Sequence, residues 1–153
     1  MNRTDVGILL VEDNPADVEL TVRALKEERI GNHIEVCLDG EEALDYLFAK
    51  GRFAGRDTNH RPRLVLLDLK LPKVDGLEVL RAIRADPRTR ALPVVVMTSS
   101  REEKDLVESY RLGVNAYIQK PVDFEQFRET VKRTGLFWLV VNQPPPNAAF
   151  PTS

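Results

Sequence analysis

Leu64-Val65-Leu66-Leu67-Asp68 decides the fold. A run of consecutive apolar residues reads as a strand buried on both faces, and such a strand belongs to a parallel sheet covered by helices. The run ends in Asp68, followed by Leu69-Lys70-Leu71-Pro72. A carboxylate leaving an apolar strand is costly to bury unless a cation meets it. Asp68 is therefore either a strand-end cap or one member of a chemical pair.

Upstream, Ile8-Leu9-Leu10-Val11 is a second buried strand, and it ends in the acids Glu12-Asp13. Asn14-Pro15 starts a helix, with Asn14 as N-cap and Pro15 in the first turn; Val18, Val22 and Leu25 give it an apolar face, and it runs out near Gly31. Ile34-Glu35-Val36-Cys37-Leu38 alternates more than the other strands, as an edge strand does. Asp39-Gly40 turns the chain into a helix carrying Ala43, Leu44, Leu47 and Phe48. From Gly51 to Arg63 there is no apolar period and there are four arginines, so this stretch reads as an exposed loop with a contact role. His60 within it reads as a loop residue rather than a ligand, having no second histidine or cysteine near it in sequence.

Downstream of Asp68, Asp75 or its neighbour caps a helix through Leu77, Leu80 and Ile83 that stops at Asp86-Pro87. Leu92-Pro93-Val94-Val95-Val96-Met97 is the fourth strand, ending in Thr98-Ser99-Ser100. Ser100 with Glu103 predicts a capping box for a helix through Leu106, Val107 and Tyr110, closed by Gly113. Ala116-Tyr117-Ile118-Gln119 is a short fifth strand leading to Lys120-Pro121. Asp123 with Gln126 then caps a last helix, with Phe124, Phe127 and Val131 on its apolar face. Strand and helix alternate throughout, which gives an α/β fold with helices on both faces of a parallel sheet and right-handed crossovers.

The 153 residues, 42% of them hydrophobic, suffice for one core and show no internal shift in composition. A net charge of -2 removes the general electrostatic case for nucleic-acid binding. The mixed run Arg101-Glu102-Glu103-Lys104-Asp105 reads as solvated helix surface. Cys37, the single cysteine, reads as core. No segment reaches membrane-spanning length and the first residues lack an apolar signal region, so a cytoplasmic location away from membranes is expected.

Ligands of open parallel sheets bind beyond the carboxyl ends of the strands, where strand order reverses. Glu12, Asp13, Asp68, Thr98 and Lys120 leave those ends. Each alone has an ordinary reading as a strand-end cap, a solvated charge or a β-former; together they describe a site. Crowded carboxylates repel by roughly 4 kcal/mol per pair at about 4 Å and an effective dielectric near 20. An all-oxygen donor set suits Mg2+, which takes one or two protein carboxylates and keeps several waters. Asp68 then faces an electrophile as a free carboxylate, and Lys120 with the Thr98 hydroxyl supplies what phosphoryl oxygens need.

These residues, with Lys70 and Pro72 after Asp68, the Asp75-Gly76 turn and Lys120-Pro121, resemble the receiver domain of two-component response regulators over residues 7 to 136. The resemblance implies a flavodoxin-like, three-layer α/β/α fold with strand order 2-1-3-4-5. It also implies that Asp68 accepts phosphate from a histidine kinase, that Asp13, Asp68 and the Lys70 backbone carbonyl hold Mg2+, and that Glu12 assists through water. A cis bond between Lys120 and Pro121 is implied, as is a switch in which the Thr98 hydroxyl moves inward and Tyr117 follows. The stretches Val11 to Asp17, Tyr117 to Phe124 and Gly135 to Asn142 are similar to single-domain regulators partnered with bacterial phytochrome kinases. The role implied is that of a stand-alone phosphorelay protein acting through protein contacts, not an enzyme. An aspartyl-phosphate phosphatase is the rival, but it wants an acid two residues after the nucleophile, where Lys70 stands. A phosphorylation-independent pseudo-receiver scaffold is the third reading, and no member of the phosphorylation set is missing.

Residues 1–136 thus form the expected receiver domain and 137–153 an extension. Within the extension, Phe137-Trp138-Leu139-Val140-Val141 is too apolar to be left in water, and Pro144-Pro145-Pro146 ends regular structure after it. The segment packs on its own domain or, the reading preferred here, on a second copy in a homodimer.

Overall fold

Five strands and five helices alternate along the chain: β1 (Ile8–Val11), α1 (Pro15–Glu27), β2 (Ile34–Cys37), α2 (Gly40–Phe48), β3 (Leu64–Leu67), α3 (Gly76–Ala85), β4 (Val94–Thr98), α4 (Glu103–Arg111), β5 (Ala116–Gln119) and α5 (Phe124–Arg133). They come from a computed structural model, which describes residues 7–27, 33–120 and 123–133. The strands form one parallel sheet in the order β2-β1-β3-β4-β5, with Val11 beside both Cys37 and Leu67, and Thr98 beside Gln119. The flavodoxin-like order and the edge position of the alternating strand are as expected. Because every strand runs the same way, all five carboxyl ends emerge along one edge of the sheet.

Period-2 alternation splits the strand residues between two cores. Leu9, Val11, Val65, Leu67, Val94 and Val96 point to one face, where Tyr46 and Leu47 of α2 and Leu80 and Ile83 of α3 meet them. Ile8, Leu10, Leu64, Leu66, Val95 and Met97 point to the other, against Leu25 of α1 and Phe127 of α5. Cys37 is fully buried in the first core, as its apolar neighbours suggested.

Caps decide the helix starts. Asn14 Oδ1 accepts the Asp17 N–H at 3.0 Å, and Asp123 Oδ1 accepts the Gln126 N–H at 2.6 Å, both as expected. At α2 the sequence reading missed the cap: Asp39 accepts the Glu42 N–H at 2.7 Å, and Glu42 reaches back past the cap to accept the Leu38 N–H at 2.7 Å. Asp75 stands at the N-cap of α3 but its side chain makes no cap bond. The glycine after it is required by close approach, since a Cβ on Gly76 would collide with the Asp68 carbonyl oxygen and Leu69 Cα.

Two expectations are corrected. Ser100 and Glu103 do not make a capping box, because α4 begins two residues later with Glu102 as N-cap, and the Ser100 hydroxyl instead donates to Asp105 at 2.5 Å. That bond turns Asp105 and Ser109 inward, so Leu106, Val107 and Tyr110 face solvent rather than the core. Asp105 is thus buried, at 4% exposure, and not part of a solvated charge run. The arginine-rich stretch is a largely exposed loop, as expected, with local order of its own. A 3-10 turn spans Gly51–Phe53, Phe53 packs edge-on against Tyr46 with centroids 5.0 Å apart, and Arg56 lies 3.9 Å over the Tyr46 ring while donating to the carbonyls of Tyr46 and His60. The end of α1 near Gly31, Pro121 and its peptide bond, the Val131 side chain and the segment Phe137 to Val141 lie outside the described residues.

Candidate functional site

The ladder of the sheet continues just far enough to place each site residue. Glu12 N–H bonds the Cys37 carbonyl at 2.9 Å, Asp68 N–H the Val11 carbonyl at 3.0 Å, and Lys120 N–H the Thr98 carbonyl at 2.8 Å. Their side chains therefore leave the same edge side by side. They line an open cleft of about 620 Å³ together with Asp13, Asn14, Pro15, Asp17, Lys70, Ser99 and Arg101.

Asp68 sits at the floor. One carboxylate oxygen, Oδ1, accepts the Lys70 N–H at 3.0 Å, and the other, Oδ2, lies 3.0 Å from Lys120 Nζ. Lys120 also lies 2.8 Å from Glu12 Oε1 and 2.9 Å from Asp17 Oδ2. Burial alone would depress this ammonium, but its hydrogen bonds to Asp17, Glu12 and Asp68 outweigh burial and hold it above the ordinary lysine range. Burial pushes the Glu12 carboxyl up to about 7; the Lys120 hydrogen bond opposes that rise and the Asp68 charge adds to it. Glu12 is further held by the Asn14 N–H, 3.1 Å from Oε2.

Oxygens of Glu12, Asp13 and Asp68 lie within 4.8 Å of one another. Two of these residues are buried and Asp13 is exposed, so the group opens to solvent on one side. Hard carboxylate oxygens with water access are the donor set of Mg2+, and Lys120 balances only part of the negative charge. The residues present therefore fit a divalent cation, as Mg2+ in receivers.

Thr98 is fully buried and stands behind the cleft, where its hydroxyl accepts the Ser100 N–H at 3.2 Å. Tyr117 is half-buried, with its hydroxyl 3.4 Å from the Ser100 carbonyl oxygen. Lys70 points away from the floor, its Nζ lying 3.3 Å from Glu102 and 3.5 Å from Asp105. Asp17, Ser99 and Arg101 were missed by sequence reasoning. For Asp17 a signal existed, since three positions after an N-cap a side chain returns to the helix mouth.

The model of the response regulator receiver domain matches residues 8–132. A curated relative, the probable methanogenesis regulatory protein FilR2 of Methanothrix harundinacea (strain 6Ac), is 46% identical over 138 residues, covering 90% of this chain and 86% of that protein. Among solved structures, the bacteriophytochrome response regulator RtBRR is 52% identical with a TM-score of 0.75, covering 91% of this chain and 83% of that one. The Mn(2+)-bound form of response regulator Rcp1 is 39% identical with a TM-score of 0.76, covering 90% and 97%. With this sheet order, this acidic group beside a lysine, and matches over nearly its whole length, the chain belongs to the response regulator receiver domain family.

Proposed function

We propose that Asp68 is the phosphoacceptor of a two-component phosphorelay and that the chain signals through protein contacts rather than by turning over a substrate. The observation that carries this is the Asp68 carboxylate, set 3.0 Å from Lys120 at the floor of an acidic, water-accessible cleft. Asp13, Asp68 and the Lys70 carbonyl would hold Mg2+, with Glu12 acting through water. When bound, Mg2+ neutralises the crowded carboxylates and the oxygens of the phosphoryl group. An Asp68 oxygen attacks the phosphorus of a phosphohistidine in the sensor kinase; the P–N bond breaks, the P–O bond forms, and the imidazole nitrogen takes up a proton from water. Lys120 meets the transferred group as a point charge. The Thr98 hydroxyl, now occupied by the Ser100 N–H, turns toward a phosphoryl oxygen, and Tyr117, close to the Ser100 carbonyl, follows. Lys70 is engaged with Glu102 and Asp105 and supplies no second acid, which disfavours a phosphatase.

The likeness to RtBRR favours a bacteriophytochrome as the sensor. A cytoplasmic site of action agrees with the absence, among the described residues, of a helix long and apolar enough to cross a membrane. Residues 1–136 form the receiver, and the apolar segment Phe137 to Val141 in the extension 137–153 pairs two copies.

Radiolabelled acetyl phosphate with and without Mg2+ tests the phosphoacceptor. The wild type should gain acid-labile label only with Mg2+ and Asp68→Asn should gain none. Label retained by Asp68→Asn would overturn the assignment.

A further inference from the structure

We propose that Asp17 is a positioning residue of this site: from the mouth of the cleft its carboxylate holds the Lys120 ammonium and sets how readily Asp68 takes up an anionic phosphoryl group. The inference rests on Asp68 being the phosphoacceptor.

An ammonium has three N–H donors. On Lys120 they face three carboxylates, Glu12 at 2.8 Å, Asp17 at 2.9 Å and Asp68 at 3.0 Å. An arriving phosphoryl oxygen can bond this lysine only when one carboxylate lets go. Glu12 is buried and also fixed by the Asn14 N–H, and Asp68 is buried and also fixed by the Lys70 N–H. The Asp17 side chain is 31% exposed against 10% for Lys120, and among the described residues Lys120 is the one partner of its carboxylate. Released, it is rehydrated at once, so Asp17 is the carboxylate that yields.

Its place in α1 makes this arrangement specific. In a capping box, the acid at the third helical position reaches back to the N–H of the N-cap residue. Here that N–H, on Asn14, is taken by Glu12 Oε2 at 3.1 Å. Asn14 still caps the helix through the Asp17 N–H, but the Asp17 carboxylate is left to reach across to the strand-end lysine. Nor does Asp17 belong to the group of oxygens that fits a cation, which comprises Glu12, Asp13 and Asp68. Glu12 and Asp68 therefore face both the cation group and the lysine, whereas Asp17 faces the lysine alone. A negative charge there competes with the phosphoryl group for Lys120 and repels it.

Beryllium fluoride, an acyl-phosphate mimic, measures this at equilibrium. The full chain would be titrated at fixed Mg2+ and fluoride and followed by fluorine NMR, as wild type, Asp17→Asn and Asp17→Glu. Asp17→Asn should half-saturate at a beryllium concentration about five- to tenfold below wild type, the size expected for one unit charge several ångström away in a partly screened site. Asp17→Glu, which keeps the charge, should stay within about twofold of wild type. Mg2+ affinity measured separately should change by less than about twofold in Asp17→Asn. Equal half-saturation in wild type and Asp17→Asn would overturn the proposal, and so would a loss of Mg2+ affinity as large as the gain for the mimic, which would mark a diffuse charge effect. If the wild type binds no more mimic than Asp68→Asn does, the phosphoacceptor reading itself falls, and the two failures are told apart.

Discussion

At Lys120 one ammonium answers three carboxylates, two from strand ends on the same edge of the sheet and one, Asp17, from the first turn of α1. Cys37 shows the opposite treatment of an ionisable group: it is sealed in the core, where burial outweighs the nearby Arg52 charge. Burial first, and the nearby Glu42 and Glu35 charges second, push its thiol from the ordinary 9.0 up to about 12. The unfolded chain loses that proton earlier than the folded one, so between these values the native state binds more protons and stability falls as pH rises. The contribution is intact below pH 9.0 and is lost through the folded value of about 12, at about 1.4 kcal/mol per pH unit. Urea unfolding at pH 8 and pH 10 should therefore show a steeper loss in wild type than in Cys37→Ala; equal losses would mean that the thiol ionises within the fold.

Among the elements, Arg84 joins α3 to two loops at the far end of the sheet from the cleft. Its guanidinium donates to the carbonyls of Leu112 at 2.5 Å, Leu92 at 2.7 Å, and Arg90 and Gly113 at 3.0 Å each. Four backbone acceptors that no helix or strand satisfies find one rigid fork of donors. Arg84→Met keeps the stem and removes the fork, which should cost about 2–3 kcal/mol in urea unfolding. Lysine, a single-point donor, should restore less than half of it. A cost under about 0.5 kcal/mol would show that water replaces the fork. Nothing in the pattern of α3 announced this role, because an arginine on an amphipathic helix reads as solvated surface. The same blindness explains α4. Leu106, Val107 and Tyr110 marked the helix but not its buried side, which carries Asp105, bonded to Ser100, and Ser109. By contrast β1 and β3 were legible residue by residue, since a strand covered on both faces has no polar position to mislead, and β4 begins two residues later than its apolar run. In the cleft, Glu12, Asp13, Asp68 and Lys120 were legible because strand direction alone brings them together. Asp17 was legible only as a side chain returning to the helix mouth, since its partner lies 103 residues away and the contact depends on which acid accepts the Asn14 N–H.

For the molecule as a whole, the charged cleft and the apolar extension make separate demands. The receiver closes its second core with α5, whose Phe127 is fully buried, so the segment from Phe137 onward is not needed to complete that core. Truncation after Gly135 should leave a chain that still takes label from acetyl phosphate but has half the mass of the full-length protein in light scattering. An unchanged mass would remove the pairing role from Phe137 to Val141. The sheet order also bears on synthesis. β1 is made first yet lies between β2 and β3, so its apolar backbone and side chains wait until residue 67 has left the ribosome before both neighbours exist. Until then Ile8 to Val11 is an unpaired sticky strand. The acids Glu12 and Asp13 that follow at once keep such half-made chains apart, so the charges destined for the cleft also serve the chain before it has one.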